Sequence, residues 1–267
     1  MAAEKKQSGR PIHIFVALGC LLVMIVGSSI FFVANTQGSQ SDTHRRPQPR
    51  ASSTPASPTP RATPSPQLTP YTLFSDTFID NKNGWPTGDA SGYTRTIDEN
   101  GLTLAASNHK PLVESLPTNI HFSDFILTAT FTLQQASSRD RVGLYLRGDS
   151  NLDHDYRIDI YGDRYFTISK EDLDEENKPL TTILAGPHYA AALHPIGEEN
   201  TLRVIMKSNT LILMVNDTVV ETVTDADYGQ GQIALFVENS ETSDAVQATF
   251  KEIRVDPVPR QWSDYAR

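Results

Sequence analysis

The pattern of apolar and polar residues divides the chain into three parts. The first is one unbroken apolar run of 21 residues, 14–34, without a single charge. As a helix rising about 1.5 Å per residue, this run matches the roughly 30 Å hydrocarbon core of a bilayer. Residues 35–70 show no apolar periodicity, whereas apolar and polar residues alternate in 71–256. The pattern therefore predicts a transmembrane helix, a linker and a β-rich domain.

Charges beside the apolar run predict its orientation. Lys5, Lys6 and Arg10 precede the run, against Glu4 alone. Positive charge is retained on the cytoplasmic side of a membrane. Residues 1–13 are thus predicted to be a cytoplasmic stub of a single-pass protein, with all later residues outside the cytoplasm. Arg45, Arg46 and Arg50 follow the run, but they lie more than ten residues beyond its end and should therefore influence its orientation less.

Two alternatives for the apolar run stay open. A cleaved signal peptide usually has an apolar region of about 7–15 residues, which is shorter than this run. Residues 17–20 loosely resemble a lipoprotein processing site at Cys20, but the apolar run continues well past that cysteine. We favour an ordinary membrane helix, and all three interpretations place the rest of the chain outside the cytoplasm.

Residues 35–70 are rich in proline, serine and threonine. Such a segment cannot bury enough apolar surface to offset the entropy lost on ordering. It is predicted to be a disordered, semi-rigid linker that holds the following domain clear of the cell envelope. Residues 257–267 are predicted to be a flexible tail.

The alternation after residue 71 has a period of two, which predicts strands and no helix beyond a short turn at 189–193. Hairpin turns are indicated at Asn100-Gly101, Gly162-Asp163, Ser208-Asn209 and Asn216-Asp217. About a dozen strands of this kind favour an all-β, two-sheet antiparallel sandwich. The predicted strands are 73–78, 93–97, 102–106, 125–133, 142–147, 156–161, 165–169, 180–184, 202–207, 211–215, 219–223, 232–237 and 248–255.

Composition narrows the classes of function. Cys20 is the only cysteine, so the predicted domain holds no disulfide and no cysteine metal site. Residues 1–70 carry seven basic and two acidic residues, a net charge of +5. Because the whole chain has a net charge of −9, residues 71–267 have a net charge of −14. An acidic domain of this kind argues against nucleic acid as a partner.

The order of short motifs along residues 73–255 resembles the concanavalin A-like jelly rolls, in particular laminin-G-like and bacterial 3-keto-disaccharide-hydrolase-like domains. The motifs are FSDTF at 74–78, NGW at 83–85, VGLYLR at 142–147, YRIDI at 156–160, NTLRVI at 200–205, LILMVND at 211–217, GQIAL at 231–235 and ATFKEIRV at 248–255. The resemblance implies two curved sheets with the first and last strands paired. Members of this fold often bind carbohydrate on the concave sheet, and some bind calcium at an edge.

A candidate carbohydrate-binding face lies on the central hairpins. Alternation puts Tyr145 with Arg147 on one strand face, and Arg157, Asp159 and Tyr161 on the next, with Tyr165 just after the turn. Aromatic rings stack on sugar rings, and charged groups bind sugar hydroxyls. The alternative is that these residues are ordinary exposed cross-strand pairs.

A candidate calcium site has oxygen-bearing side chains at close spacing before Trp85. Its residues are Asp76, Asp80, Asn81 and Asn83, with Glu252 from the last strand. The alternative is a polar turn, with Trp85 as a core residue. No other cofactor is indicated.

No catalytic motif is recognised. The chain lacks the Glu-x-Asp-x-x-Glu strand of concanavalin A-like glucanases, and the acidic run at 171–176 is interpreted as a solvated loop. The sequence has neither a Gly-x-Ser-x-Gly elbow nor a His-Glu-x-x-His helix. We therefore predict a membrane-anchored, non-catalytic domain of the bacterial envelope that binds carbohydrate. The alternatives are a structural or protein-interaction module and, third, a glycoside-active hydrolase.

Overall fold

The computed structural model describes residues 71–259 with the exception of residue 152. In these residues it has fifteen strands and no helix. The strands are β1 Phe74–Asp76, β2 Gly88–Ala90, β3 Tyr93–Asp98, β4 Gly101–Ala106, β5 Leu112–Ser115, β6 Phe125–Gln135, β7 Arg141–Gly148, β8 Asp155–Tyr161, β9 Tyr165–Leu173, β10 Pro179–Tyr189, β11 Glu199–Lys207, β12 Thr210–Val215, β13 Thr218–Thr224, β14 Gln232–Glu238 and β15 Val246–Pro257.

Two antiparallel sheets form the domain. Nine strands make one sheet in the order β13-β12-β11-β6-β15-β4-β3-β2, with β1 also paired to β15. Six strands make the other in the order β10-β9-β8-β7-β14-β5. The first and last strands pair with Phe74 opposite Val255. The predicted all-β jelly-roll sandwich is therefore confirmed.

Alternation along the strands builds the core between the sheets. In β6 every second residue from Phe125 to Leu133 is buried, and the residues between them are partly exposed. In β8, Tyr156, Ile158 and Ile160 point into the same core. Burial of each such large side chain contributes about 1.5–3 kcal/mol relative to exposure, so this core holds the sheets together without a disulfide.

All thirteen predicted strands are present, most of them longer than predicted. The two additional strands, β2 and β5, lie at sheet edges and carry little apolar signal. All three residues of β2 are exposed, and β5 alternates over only four residues. At the short turn predicted for 189–193, the chain makes a single hydrogen-bonded turn in which the Leu193 N–H donates to the Ala190 carbonyl, and Tyr189 itself ends β10.

The hairpin turns follow the residue types that predicted them. Asn216 and Asp217 join β12 to β13 with φ of 46° and 63°. Two successive positive φ values are typical of a type I′ turn, whose twist matches that of the flanking strands.

The predicted membrane helix at 14–34, the stub before it and the linker at 35–70 lie outside the described residues, as does most of the predicted tail. No helix within residues 71–259 is long and apolar enough to cross a bilayer.

Candidate functional site

The outer face of the six-stranded sheet carries a group of buried charged side chains. Its centre is formed by β7, β8 and β9, with Tyr145 opposite Arg157 and Asp159 opposite Thr167. No third layer of strands covers this face in the described part of the chain. We call it the polar face, and its residues are Arg141, Tyr145, Asp155, Arg157, Asp159, Thr167, Ser169 and Glu171.

Tyr145 is the aromatic centre of the polar face. Arg157 lies over its ring, with the guanidinium carbon 4.3 Å from the ring centroid. Phe236 of β14 meets the same ring edge-on, at 5.1 Å and 88°. Burial raises the pKa of Tyr145, so its phenol is neutral at physiological pH.

Gly143 makes this arrangement possible. A Cβ at this position would lie 2.7 Å from Cε1 of Phe236 and 1.9 Å from the carbonyl oxygen of Ile158. Only a residue without a side chain lets Phe236 lie close to β7 and support Tyr145.

Arg157 has unused hydrogen-bonding capacity. Its Nε is buried without a hydrogen-bond partner. Its nearest carboxylates are distant, at 3.9 Å from Nε to Asp155 and 3.7 Å from Nη1 to Glu171. Stacking and charge thus hold the guanidinium in place, and its side chain is 16% exposed, so the outer guanidinium nitrogens rather than the buried Nε can meet a ligand.

Asp155 is fully buried, and both of its carboxylate oxygens lack a hydrogen-bond partner. Burial raises its pKa to about 7, with Arg157 partly offsetting the effect and Glu171 adding to it. Glu171 itself accepts hydrogen bonds from Ser169 Oγ at 3.1 Å and Thr181 Oγ1 at 2.6 Å. The polar face therefore contains one acid, Glu171, whose carboxylate is hydrogen-bonded, and one, Asp155, whose carboxylate is not.

A second charge cluster continues the polar face along β7 and β8. Arg141 lies 3.2 Å from Asp159 and also pairs with Glu238. Thr167 donates to Asp159 at 3.1 Å. Burial raises the pKa of Asp159, and Arg141 opposes the shift.

Two depressions open on the polar face. The smaller, about 320 Å³, contains Tyr145, Arg157 and Glu171, and we call it the Tyr145 pocket. The larger, about 680 Å³, contains Arg141, Thr167 and Tyr165, and we call it the Tyr165 cleft. Volumes of this size suit a small ligand or a sugar unit.

The sequence model of the 3-keto-alpha-glucoside-1,2-lyase-like domain matches residues 72–256. The chain belongs to this family. The match covers both sheets and confirms the resemblance inferred from the order of motifs. No sequence of a curated protein is significantly similar to this chain.

Solved structures with a similar fold differ widely in sequence. A Bacillus subtilis protein of unknown function with a galectin-like fold has 13% identity and a TM-score of 0.50, over 70% of this chain and 96% of that one. The carbohydrate-binding module CBM66 from Bacillus subtilis has 16% identity and a TM-score of 0.49, over 65% and 95%. A Bacillus licheniformis beta-glucanase has 11% identity and a TM-score of 0.47, over 68% and 97%. At 13% sequence identity, the similarity to the galectin-like protein shows only that the two proteins share a fold.

The structure of this lyase-like domain brings together five of the six predicted ligand-binding residues. Tyr145, Arg157 and Asp159 lie on the polar face, and Tyr161 and Tyr165 line the Tyr165 cleft. Tyr161 is tied to the face by a 3.1 Å hydrogen bond between its hydroxyl and Thr167.

Arg147 is the exception. It has a φ of 52° at an irregularity in the pairing of β7 with β14, and this breaks the alternation on which the prediction relied. Its guanidinium is buried and donates to the carbonyl oxygens of Ser123, Ser208 and Tyr228 at 2.6–3.0 Å. Arg147 thus clamps three loops of the domain and does not face the Tyr145 pocket.

Three charged residues of the polar face were missed by the sequence analysis: Arg141, Asp155 and Glu171. Each lies just beyond the end of a predicted strand, in register with residues that were recognised. Extending β8 by one residue would have placed Asp155 beside Arg157 and Asp159. The interpretation of residues 171–176 as a solvated loop is wrong at Glu171, which belongs to β9 and is buried.

The candidate calcium loop is held by its own hydrogen bonds. Asp76 accepts from the Phe78 N–H at 2.8 Å through Oδ1. Its Oδ2 accepts from Asn83 Nδ2 at 2.6 Å and Trp85 Nε1 at 2.8 Å. Asn81 Oδ1 accepts from the Trp85 N–H at 2.7 Å. Trp85 is buried in the core, as predicted.

The other two predicted calcium ligands add little to that loop. Asp80 accepts from the backbone N–H of Lys82 at 3.3 Å, and Glu252 lies in β15 opposite Thr130. Among the residues described, no group of three or more His, Cys, Asp or Glu side chains is placed to hold a metal ion. The geometry is that of a polar turn that seats Trp85.

Proposed function

We propose that this domain binds carbohydrate in the Tyr145 pocket, and that the apolar segment at 14–34 displays it on the outside of the cell membrane. Membership of a family described by a glucoside substrate supports a sugar ligand. The charge-free apolar run and the basic residues before it support the location.

The observation that carries the proposal is the Tyr145–Arg157 stack above two buried acids. A sugar presents hydroxyls that donate and accept, and an apolar ring face that packs on aromatic side chains. Arg157, whose side chain is 16% exposed, supplies donors to the pocket, and Glu171 and Asp172 line it with acceptors. Hydrogen bonds to charged groups of this kind contribute about 1.5–3 kcal/mol each.

The test is a glycan array probed with the full chain in detergent micelles. We expect specific binding that is lost in Arg157→Ala. Arg203→Ala is the matched control, because Arg203 lies on β11 of the other sheet and pairs only with exposed Asp217. Equal binding by both variants would place the sugar elsewhere, and a blank array from folded protein would favour the interaction-module alternative.

Catalysis is a second candidate, and Asp155 is the observation that favours it. An elimination reaction on a sugar needs a base that takes up a proton near neutral pH and a group that stabilises the developing negative charge. Asp155 has a pKa of about 7 and lies beside Arg157, but its carboxylate is buried, so this reaction requires that substrate binding expose it.

This second candidate has its own test. The full chain would be incubated with a 3-keto-α-glucoside, and release of the sugar product would be followed by chromatography. Turnover that disappears in Asp155→Asn would assign catalysis, whereas binding of the same compound without turnover would assign a binding domain.

A further inference from the structure

We propose that the Tyr165 cleft is a second sugar subsite, so that the ligand is an extended glycan that runs along the polar face rather than a single terminal sugar. This inference rests on the proposed function, because it assumes that the Tyr145 pocket holds one sugar of the same chain.

The two depressions lie on one line along the strands. In β8, Arg157 lines the Tyr145 pocket and Tyr161 lines the Tyr165 cleft, four residues further on. In β9, Glu171 lines the Tyr145 pocket, and Thr167, four residues away, lines the Tyr165 cleft. Four residues of strand span roughly 13 Å, which is longer than one sugar ring and requires a ligand of several units.

The outward-facing positions of β8 and β9 between the depressions are polar. Asp159 lies there and is bound by both Arg141 and Thr167, at 3.2 Å and 3.1 Å, and Ser169 is the next outward-facing residue of β9. A sugar chain that runs from one depression to the other would therefore cross a polar stretch of these two strands.

The Tyr165 cleft has one exposed aromatic ring in its lining, Tyr165, and a second beside it, Tyr189. Tyr165 is 39% exposed and packs against Tyr189, which is 48% exposed, with ring centroids 5.7 Å apart. Arg164 lies 5.0 Å from the Tyr189 ring centroid, and Ile183 adds an exposed apolar side chain. Exposed aromatic pairs beside a polar floor are suited to stacking against sugar rings.

The rest of the cleft lining is mostly polar and charged. It includes Ser138 and Arg139, which follow β6, and Asn239, Ser240, Glu241 and Thr242, which follow β14. Asn239 is fixed by bonds to the His109 N–H at 3.0 Å and the Ser243 carbonyl at 2.7 Å. Hydrogen-bonding side chains of this kind suit the hydroxyl groups of a pyranose ring, and the Tyr165 ring suits its apolar face.

The test measures affinity against chain length. Calorimetry on the full chain in micelles would use the mono-, di-, tetra- and hexasaccharides of β-1,3-glucan, β-1,4-glucan, α-1,4-glucan and β-1,4-mannan. We expect at least one series to show an affinity that rises roughly tenfold between the disaccharide and the hexasaccharide, which is the gain expected of added stacking contacts.

Two variants then test whether the gain in affinity with chain length arises at the Tyr165 cleft. Tyr165→Ala and Tyr189→Ala should each reduce hexasaccharide affinity toward the disaccharide value and leave disaccharide affinity unchanged. Tyr71→Ala is the control, since Tyr71 is exposed and precedes β1 of the other sheet. Tyr165 and Tyr189 are partly exposed, so neither substitution is expected to unfold the domain. The length series is measured on the unmodified chain and therefore tests the subsite independently of the variants.

The outcomes separate the two proposals. Affinity independent of length, with binding still lost in Arg157→Ala, would overturn the second subsite and keep the proposed function. A rise with length that both tyrosine variants retain would also overturn the subsite. Absence of binding by every sugar tested would overturn the proposed function and the subsite together.

Discussion

Arg147 and Arg157 lie on neighbouring strands, yet their guanidinium groups have opposite surroundings. Arg147 donates to the carbonyls of three loops and is almost completely buried. Arg157 is held by the Tyr145 ring and by distant carboxylates, with its Nε unpartnered. A satisfied buried cation stabilises the fold, whereas Arg157, with 16% of its side chain exposed, can also meet a ligand through its outer guanidinium nitrogens.

Replacing Arg147 should therefore affect stability. Arg147→Met would leave the carbonyls of Ser123, Ser208 and Tyr228 without their donor, and we expect the free energy of unfolding to fall by about 2–4 kcal/mol. Urea denaturation measures the change. Arg203→Met, at a partly exposed surface pair, should change it by less than about 0.5 kcal/mol. A loss no larger than the control's would show that the clamp is dispensable.

Asp155 predicts an unusual dependence of stability on pH. Its pKa is about 7 in the folded protein, against an ordinary value of 3.8, so unfolding releases a proton between about pH 4 and 7. The free energy of unfolding should fall as the pH rises through that window and level off above it. The expected contribution is on the order of 2–4 kcal/mol.

Asp155→Asn isolates this effect. The variant should lose the part of the pH dependence that Asp155 contributes, as measured by urea denaturation between pH 4 and 8. Asp153→Asn is the control, because Asp153 is a nearby, partly exposed residue that lines the Tyr145 pocket, and this variant should retain the wild-type slope. If the wild type and Asp155→Asn show parallel curves, the acid is not protonated in the folded state.

At the scale of strands, the alternation of β7, β8 and β9 determines which side chains reach the polar face. Sequence periodicity was enough to place Tyr145, Arg157 and Asp159 there, because their strands are regular. It failed at Arg147, because a pairing irregularity with positive φ leaves no clear signal in residue types. It failed at Glu171, because the acidic run conceals the end of β9.

Gly143 tests how strongly the packing of these strands controls the site. Gly143→Ala would place a Cβ against the Ile158 carbonyl and the Phe236 ring, so we expect a loss of about 2 kcal/mol or more and weaker sugar binding. Thermal unfolding and calorimetry measure the two effects. Gly229→Ala has open space around its Cβ and serves as the control. Equal melting temperatures for the two variants would contradict the packing argument.

At the scale of the whole molecule, a disulfide-free acidic sandwich follows a charge-free apolar run and a proline-rich segment in the sequence. The sandwich itself is stabilised by one core between its two sheets. The fold class and most strands could be predicted from periodicity, while buried charges on an outer face could not. Their burial depends on how neighbouring side chains fill the face, and that is a property of the folded sheet.

The proposed membrane segment at 14–34 yields a prediction about location. In cells that express the full chain, we expect it to sediment with membranes and its domain to be digested by protease added outside. A version without residues 1–34 should remain in the soluble cytoplasmic fraction, because it lacks the only segment of the sequence with the length and apolarity of a bilayer span. Protection of the full chain from external protease would contradict the proposed orientation.

The central claim is that the polar face of the six-stranded sheet binds sugar, and hydrogen–deuterium exchange on the full chain with a bound glycan tests it most directly. We expect slower exchange in β7, β8 and β9 and in the loop between β7 and β8, with the nine-stranded sheet unchanged. Protection confined to the nine-stranded sheet, or no protection at saturating glycan, would contradict the claim.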